Sequence, residues 1–203
     1  MDAATEDAEE LQLANPGLVL PLLHLGNIAM QRGDFQQAID YTERGLGLEP
    51  GHVLLHMNAL VMLLWAERLV EARQALEKAR QIVPNESFVT GQEAILSALD
   101  GNFARAEALA DEAAQSGRSL THTHHTWHYC AGAYALCGRP EKALAELRRC
   151  ADLGLPNYRL FERDPYLRSL RTNPAFRELM TSLRREHDSI REEFGLEAEG
   201  ARN

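Results

Sequence analysis

The sequence predicts an all-α protein, a solenoid of stacked helix-turn-helix units, because three sets of residues share one spacing. Prolines, small residues and turn residues each recur every 34 positions. The prolines are Pro16, Pro50 and Pro84, the small residues are Ala38, Ala72 and Ala106, and the turn residues are Gly33, Glu67 and Gly101. A fixed period of this length is typical of repeat proteins, in which each unit buries its apolar face against its neighbours.

Each unit is predicted to contain two helices joined by a tight turn. In the first unit, Gly33 can adopt the positive φ that ends one helix, and Asp34 can cap the next helix. Ala38 lies where two antiparallel helices must cross closely, because a larger side chain would push them apart. A fourth unit shows the same features at Gly138 and Ala143, displaced by a short linker.

The chain therefore divides into an acidic N-terminal segment, an array of four units, a helical cap and a frayed tail. The N-terminal segment contains a predicted helix, Ala8–Asn15, which has the phase of the second helix of a unit. We place the segment at residues 1–17, the array at 18–157 with units at about 19–52, 53–86, 87–120 and 124–157, the cap at 158–195 and the tail at 196–203.

The second unit begins with a run, Val53–Glu67, that is apolar on nearly every face of a helix. A membrane span needs about 20 apolar residues. This run is shorter and is interrupted by His56 and Asn58. We therefore predict a helix with packed neighbours on several sides, in a protein without a membrane partner.

Two helix starts are predicted in the cap. Asp164 and Asn173 each combine a capping side chain with a following proline that suits the first helical turn. The last predicted helix, Pro174–Phe194, carries an apolar stripe on one side and arginines on the other. Such an amphipathic helix can close a repeat array, since terminal repeats need a polar outer face.

Composition favours one folded domain and argues against some partners. Hydrophobic residues make up 45% of the chain and charged residues 25%, which argues against wholesale disorder. The net charge is −9, and residues 1–140 hold 18 acidic against 9 basic residues, so no nucleic-acid partner is expected. The start, Met1–Asp7, lacks the basic region and apolar core of a signal peptide, so we expect a cytoplasmic address.

The period, the turn glycines and the crossing alanines resemble the tetratricopeptide repeat (TPR) family over about residues 18–157. The matching positions are Leu22, Leu25, Gly26, Gly33, Ala38 and Pro50 in the first unit, and Trp127, Tyr134, Gly138 and Ala143 in the fourth. The second unit departs from the family with Glu67 where glycine is usual, and the third with Arg118 where proline is usual. The resemblance implies a right-handed superhelix whose first helices line a concave groove, which in this family often holds a peptide or helix.

A second resemblance concerns the run from Phe161 to Leu179, which is similar to the close of repeat arrays in bacterial signalling proteins. Those arrays often follow a nucleotide cyclase, a protein kinase or a winged-helix regulator domain. None of those catalytic or DNA-binding motifs occurs in this sequence. The resemblance therefore implies a parent context and no activity of this chain.

Carried over residue by residue, the TPR resemblance assigns thirteen residues to the groove. They are Leu20, Leu23, Asn27, Met30, Leu54, Met57, Val61, Leu64, Trp65, Phe88, Ile95, His125 and His128. This trough is apolar and suits one face of an amphipathic helix, with Met57 and Trp65 as candidate anchors. Alternatively, these side chains pack on each other or are covered by the chain's own terminal helix. Capture of chaperone tails is not expected, because only Asn27 remains of the polar residues which that binding mode uses.

The run Thr121–His128 contains four histidines, and His124 and His128 lie one helical turn apart, a spacing that can chelate a metal. No carboxylate or cysteine lies nearby in sequence to complete a site, so groove lining or a surface role is the alternative. The three cysteines are expected to be free thiols. For Cys130 and Cys150 we predict core packing rather than nucleophilic chemistry, since no orienting carboxylate can be placed beside them.

Three hypotheses for function follow. The first is a non-enzymatic module, without a cofactor, that binds a protein or peptide in the groove or associates with itself. The second is the regulatory or sensory region of a larger bacterial signalling enzyme or transcription regulator. The third is a metal-binding protein that uses the cluster His122–His128. The first is preferred, because the sequence offers no catalytic motif and the groove is its most extensive candidate feature.

Overall fold

The computed structural model describes residues 3–116, 119 and 123–195, and the described chain is a series of helices. In order they are α1 (Ala3–Ala14), α2 (Val19–Arg32), α3 (Phe35–Leu48), α4 (Val53–Trp65), α5 (Leu69–Ile82), α6 (Ser87–Leu99), α7 (Phe103–Gln115), α8 (Thr123–Leu136), α9 (Pro140–Asp152), α10 (Tyr158–Arg163), a 3-10 helix (Pro165–Thr172) and α11 (Pro174–Glu193). The prediction of an all-α solenoid is confirmed. The predicted frayed tail and His122 lie outside the described residues.

Helices pack in consecutive pairs, α2 with α3, α4 with α5, α6 with α7 and α8 with α9. The second helix of a pair also packs on the first helix of the next, as α3 does on α4 and α7 on α8. At each crossing within a pair the repeated alanine, Ala38, Ala72, Ala106 or Ala143, is 0% exposed. Small side chains at these positions allow the close approach that the stacking requires.

The two helices of a pair differ in how much surface they bury. Helix α6 buries almost its whole length, from Ser87 to Ala98. Helix α9, a second helix, buries only Ala143, Leu144, Leu147 and Cys150. The first helices therefore form an inner layer with neighbours on several sides, and the second helices form an amphipathic outer layer.

Helix α4 lies within the inner layer, which explains its all-round apolar surface. Leu55, Met57, Leu60 and Leu64 are each 0% exposed although they point in different directions around the helix. None of the described helices combines the length and apolarity that crossing a bilayer requires.

The turns within the pairs use left-handed backbone. Gly33, Gly101 and Gly138 have φ of 86°, 76° and 68°, and Glu67 at the equivalent turn has φ of 57°. In the first turn, Asp34 Oδ1 then accepts a hydrogen bond from Gln37 N at 3.2 Å and caps α3. Glu67 keeps the same turn in place of glycine, at a conformational cost of about 1–2 kcal/mol for a residue with a Cβ.

Beyond α9 the chain turns back across the inner layer. We call residues 155–172, which include α10 and the 3-10 helix, the return segment. Arg163 Nη1 donates a hydrogen bond to the carbonyl of Gln31 in the first unit at 2.7 Å. Tyr166 Oη donates to the carbonyl of Leu64 in the second unit at 2.6 Å. The C-terminal part of the chain thus reaches both of the first two units.

The helix starts in the cap lie at the predicted residues, but the first of them opens a 3-10 helix. Asp164 Oδ1 accepts from Tyr166 N at 2.7 Å, and Asn173 Oδ1 accepts from Ala175 N at 2.9 Å. In α11 the apolar stripe is buried only as far as Leu183. The last helix therefore packs through its first half and extends beyond the array.

The turn at Glu67 offers a test of the backbone argument. We expect Glu67→Gly to raise the free energy of unfolding by about 0.5–1 kcal/mol, because glycine removes the left-handed penalty but adds freedom to the unfolded chain. The matched change Gly33→Ala should lower it by about 1–2 kcal/mol. No atom lies within 4 Å of a Cβ built at Gly33, so this control reports backbone conformation alone. Urea titration measures both, and a less stable Glu67→Gly variant would contradict the assignment.

Candidate binding groove

A cavity of about 470 Å³ lies between the inner layer and the return segment. The helices α2, α4, α6 and α8 provide Leu23, Asn27, Met30, Gln31, Leu54, Asn58, Val61, Met62, Trp65, Phe88, His125, His128 and Tyr129. Leu155, Asn157 and Leu160 close it from the C-terminal side. These thirteen residues all belong to the first helices of the pairs, so the cavity occupies the concave side of the solenoid.

Nine of the thirteen residues assigned to the groove by sequence line this cavity. They are Leu23, Asn27, Met30, Leu54, Val61, Trp65, Phe88, His125 and His128. Met57, Leu64 and Ile95 instead lie in the core with exposures of 0%, 0% and 1%. Leu20 is 56% exposed and lies outside the cavity.

The misplaced residues have a physical explanation. Helix α4 is apolar all round, so its sequence pattern cannot separate the side chains that meet neighbouring helices from those that face the groove. Met57 and Leu64 are of the first kind. Ile95 fills the space next to Gly132, where a built Cβ would lie 3.5 Å from Ile95 Cδ1. Met57 is therefore a core residue and not a candidate anchor.

Seven lining residues were not predicted, namely Gln31, Asn58, Met62, Tyr129, Leu155, Asn157 and Leu160. Asn58 could have been assigned to the cavity from the sequence, because it is a polar residue within the most apolar helix. Leu155, Asn157 and Leu160 follow α9, the second helix of the last pair, so the register of the first helices does not apply to them. Sequence periodicity therefore could not predict that these three residues line the groove.

One wall of the cavity carries paired amides. Asn58 Nδ2 donates a hydrogen bond to Asn27 Oδ1 at 3.1 Å, across the contact between α4 and α2. A side-chain amide has two donor hydrogens and an oxygen that accepts two hydrogen bonds. This single bond therefore leaves donor and acceptor capacity on both residues, and both are partly exposed.

The opposite end of the cavity is histidine-rich. His125 meets the ring of Phe88 edge-on, with ring centres 6.5 Å apart. His128 is 1% exposed, and its Nε2 lies 2.8 Å from Oδ2 of Asp164, which is 2% exposed. The ring of Phe161 lies 5.4 Å from that of His128. This buried polar contact joins α8 to the start of the 3-10 helix.

The predicted metal pair, His124 and His128, has different surroundings at its two members. His124 Nδ1 lies beside Gly154, 3.2 Å from a built Cβ there, whereas His128 contacts Asp164. Among the described residues, no group of three or more His, Cys, Asp or Glu side chains could hold a metal ion. Metal binding by the pair stays a prediction.

A second hollow of about 360 Å³ adjoins the cavity. Its walls are Gln31, Arg32, Trp65, Asn157, Arg159, Leu160 and Arg163. Gln31, Trp65, Asn157 and Leu160 line both spaces, so the two are adjacent. We call this hollow the arginine mouth, after Arg32, Arg159 and Arg163.

The cysteines lie apart from these spaces. Cys130 and Cys150 are buried, and Cys150 Sγ donates to the carbonyl of His124 at 3.0 Å. Burial raises the pKa of the Cys130 thiol and raises that of Cys150 to about 12. Both side chains therefore stay neutral near pH 7, which suits core packing and disfavours the thiolate that nucleophilic chemistry needs.

The matches of this chain to known proteins are found among solved structures. No protein-family model matches it, and no curated protein matches it. Among solved structures, TTC0263, a thermophilic TPR protein of Thermus thermophilus, is 20% identical with a TM-score of 0.60. That match covers 82% of this chain and 88% of TTC0263. The chain has the tetratricopeptide-repeat fold.

Two further structures share this fold. Yeast Tom70 is 11% identical with a TM-score of 0.54, over 92% of this chain and 44% of Tom70. PilF of Pseudomonas aeruginosa is 15% identical with a TM-score of 0.50, over 98% of this chain and 79% of PilF. The TPR resemblance of the sequence is thus confirmed at the level of the fold. The likeness of the run Phe161–Leu179 to signalling proteins stays a prediction.

The contribution of the hydrogen bond from Tyr166 to Leu64 can be measured by removing its hydroxyl, with a second tyrosine as the control. Burial raises the pKa of the Tyr166 hydroxyl, so it remains a donor. Tyr166→Phe should lower the free energy of unfolding by about 1–2 kcal/mol and speed tryptic cleavage after Arg163. The control Tyr134→Phe removes a hydroxyl that donates to Asp111 Oδ1 at 2.6 Å. It should lower stability without faster cleavage there; equal cleavage in both variants would contradict a local role for Tyr166.

Proposed function

We propose that this TPR-fold chain is a non-enzymatic protein-interaction module, which binds a short segment of a partner protein in the cavity. The observation that carries the proposal is the cavity itself, a half-open apolar space on the concave side. Its volume of about 470 Å³ lies within the roughly 300–1,000 Å³ typical of binding pockets. Its walls combine apolar side chains with a small number of polar groups, as binding pockets commonly do.

The return segment limits the size of the ligand that the cavity can hold. An α-helix with its side chains is about 10–12 Å across. The groove of the array is narrowed by Leu155, Asn157 and Leu160, which face the inner layer across the cavity. We therefore revise the expected ligand from a whole amphipathic helix to an extended segment that inserts one or two apolar side chains.

The polar groups of the cavity suit the backbone of such a segment. An extended peptide presents unpaired N–H and C=O groups, which need partners when they leave water. The amides of Asn27 and Asn58 retain both donor and acceptor capacity. Gln31 adds a third amide, and Asn157, whose Oδ1 accepts from Leu160 N at 3.1 Å, adds a fourth.

The same lining supports a role without catalysis. No Ser, Cys, Lys, Asp or Glu is found among the described residues that line the cavity. Covalent catalysis requires a nucleophile within hydrogen-bonding reach of a base. Of the residue types that act as nucleophiles, the described walls hold only His125, His128 and Tyr129, and burial raises the pKa of the Tyr129 hydroxyl, which keeps it neutral.

Selection from a phage-displayed library of random peptides tests the proposal. The wild-type chain should enrich binders, and Asn58→Phe, which places an uncharged bulky ring at the cavity wall, should weaken an enriched peptide by at least about tenfold. Fluorescence polarisation measures the affinities, and circular dichroism checks the fold.

Gln81→Phe supplies the matched control, because Gln81 is an exposed residue of the outer helix α5. It should bind the enriched peptide like the wild type. Absence of any enriched peptide, or equal binding to the Asn58→Phe variant, would contradict a peptide site in the cavity.

A further inference from the structure

We infer that copies of this chain associate head to tail, with the exposed side of α1 in one copy seated against the C-terminal cap of the next copy. The partner of the cap is therefore a second copy of the same chain. Both surfaces lie outside the cavity, so this inference does not rest on the proposed function.

Helix α1 has one packed side and one exposed side. It packs on α2, and Thr5 and Ala8 are buried. On the other side, Glu6, Glu10 and Leu13 are exposed and follow one another at the spacing of helical turns, so they form one stripe. We call this stripe the acidic face. Its apolar member, Leu13, is 80% exposed.

Leu13 has apolar company at this end of the solenoid. Leu11, Leu18 and Leu20 are exposed as well, so four exposed leucines lie between residues 11 and 20. A single exposed apolar residue is ordinary, but a group of them marks an interaction surface. The terminal repeats of an array usually present a polar outer face instead. This end of the solenoid therefore offers surface for a partner.

The cap carries a cleft of about 440 Å³ between α10, the 3-10 helix and α11. Its lining residues are Glu162, Arg171, Phe176, Arg177, Met180, Thr181 and Arg184. We call it the cap cleft. None of these described residues also lines the cavity. Phe176 and Met180 are buried side chains at its base, so the cleft combines an apolar base with a charged rim.

One arginine of the cap cleft has its charge unpaired. Arg184 Nη2 donates to Glu162 Oε1 at 2.7 Å, and Arg171 Nη2 donates to the carbonyl of Glu162 at 2.8 Å. The guanidinium of Arg177 is exposed and makes no hydrogen bond or ion pair within the part of the chain that the structure describes. Arg177 is therefore the cation that remains for a carboxylate of the partner.

Charge complementarity identifies that partner as a second copy. Residues 3–31 contain four acidic residues and no Lys or Arg, whereas residues 158–185 contain seven arginines against three acidic residues. The four later acidic residues of α11 lie beyond the cap cleft. The carboxylates of Glu6 and Glu10 also have no partner among the described residues. Surfaces of opposite charge on one molecule favour contact between copies.

The two surfaces belong to opposite ends of the array, because α1 packs on the first pair of helices and α11 packs on α9 of the last pair. In the contact, Leu13 covers the base of the cap cleft, and Glu10, one helical turn before it, meets Arg177. Each added copy leaves one acidic face and one cap cleft free. A contact of this kind builds open chains, or rings if the rotation closes.

Sedimentation velocity of the full chain at rising concentration tests the inference. The wild type should form species larger than a dimer, and less so at high salt, which screens an exposed ion pair. Leu13→Ser and Arg177→Glu should each weaken this association by at least about tenfold, because one removes the apolar contact and the other places like charges together. Circular dichroism should be unchanged, since both positions are exposed.

Matched controls change equally exposed residues outside both surfaces. Val70→Ser removes an apolar side chain that is 71% exposed on the outer helix α5, and Arg148→Glu makes the same change of charge on α9. Both controls should associate like the wild type. Loss of association in these controls as well would overturn the assignment to the acidic face and the cap cleft.

Mixing the two variants tests the direction of the contact. Leu13→Ser keeps an intact cap cleft, and Arg177→Glu keeps an intact acidic face. An equimolar mixture should therefore form a one-to-one dimer that grows no further, while each variant alone stays monomeric at the same concentration. A mixture that stays monomeric would overturn the head-to-tail pairing. A wild-type chain that is monomeric at every concentration would overturn the inference and leave the proposed function standing.

Discussion

The hydroxyl of Tyr166 donates a hydrogen bond of 2.6 Å to the carbonyl of Leu64, at the point where α4 ends within the inner layer. That carbonyl also accepts from the amide of Glu67 at 2.9 Å, so Tyr166 uses its second lone pair. The bond gives the buried Tyr166 hydroxyl a partner, which would be costly to leave unmade. The Tyr166 Cβ also lies 3.2 Å from a Cβ built on Gly132, which shows how closely the 3-10 helix approaches α8. This contact fixes the return segment, and the return segment fixes the shape of the groove.

The position of the return segment determines the shape and the chemical character of the cavity. A bare TPR-type groove would be an open trough along four first helices, but here its far end is filled by buried residues of the chain itself, Phe161 and Leu167 among them. What remains is a cavity with an apolar floor, amides on one wall and arginines at one mouth. Because α10 also supplies Arg159 and Arg163, the segment that narrows the groove also gives it its charge.

The sequence was sufficient to predict the fold class, but it predicted only part of the set of residues that line the cavity. The 34-residue step of Pro16, Pro50 and Pro84 predicts where the helix pairs lie, and the resemblance to the TPR family assigned Asn27 and Trp65 to the groove. It could not sort the side chains of α4, where apolar residues surround the helix and burial depends on neighbours. It also could not place Asp164 beside His128, because that contact joins the array to residues beyond the period. Periodicity predicts contacts between units, whereas the return segment depends on tertiary packing.

The contacts of Arg163 and Tyr166 make the return segment a fixed wall of the groove rather than a mobile flap. Native-state hydrogen exchange of the full chain, followed amide by amide, tests it most directly. If the return segment is a fixed wall, the amides of Phe161, Tyr166 and Leu167 should be as strongly protected as those in α8 and should exchange through opening of the array as a whole. Exchange of these amides at rates near those of an unstructured peptide, while α8 stays protected, would contradict it.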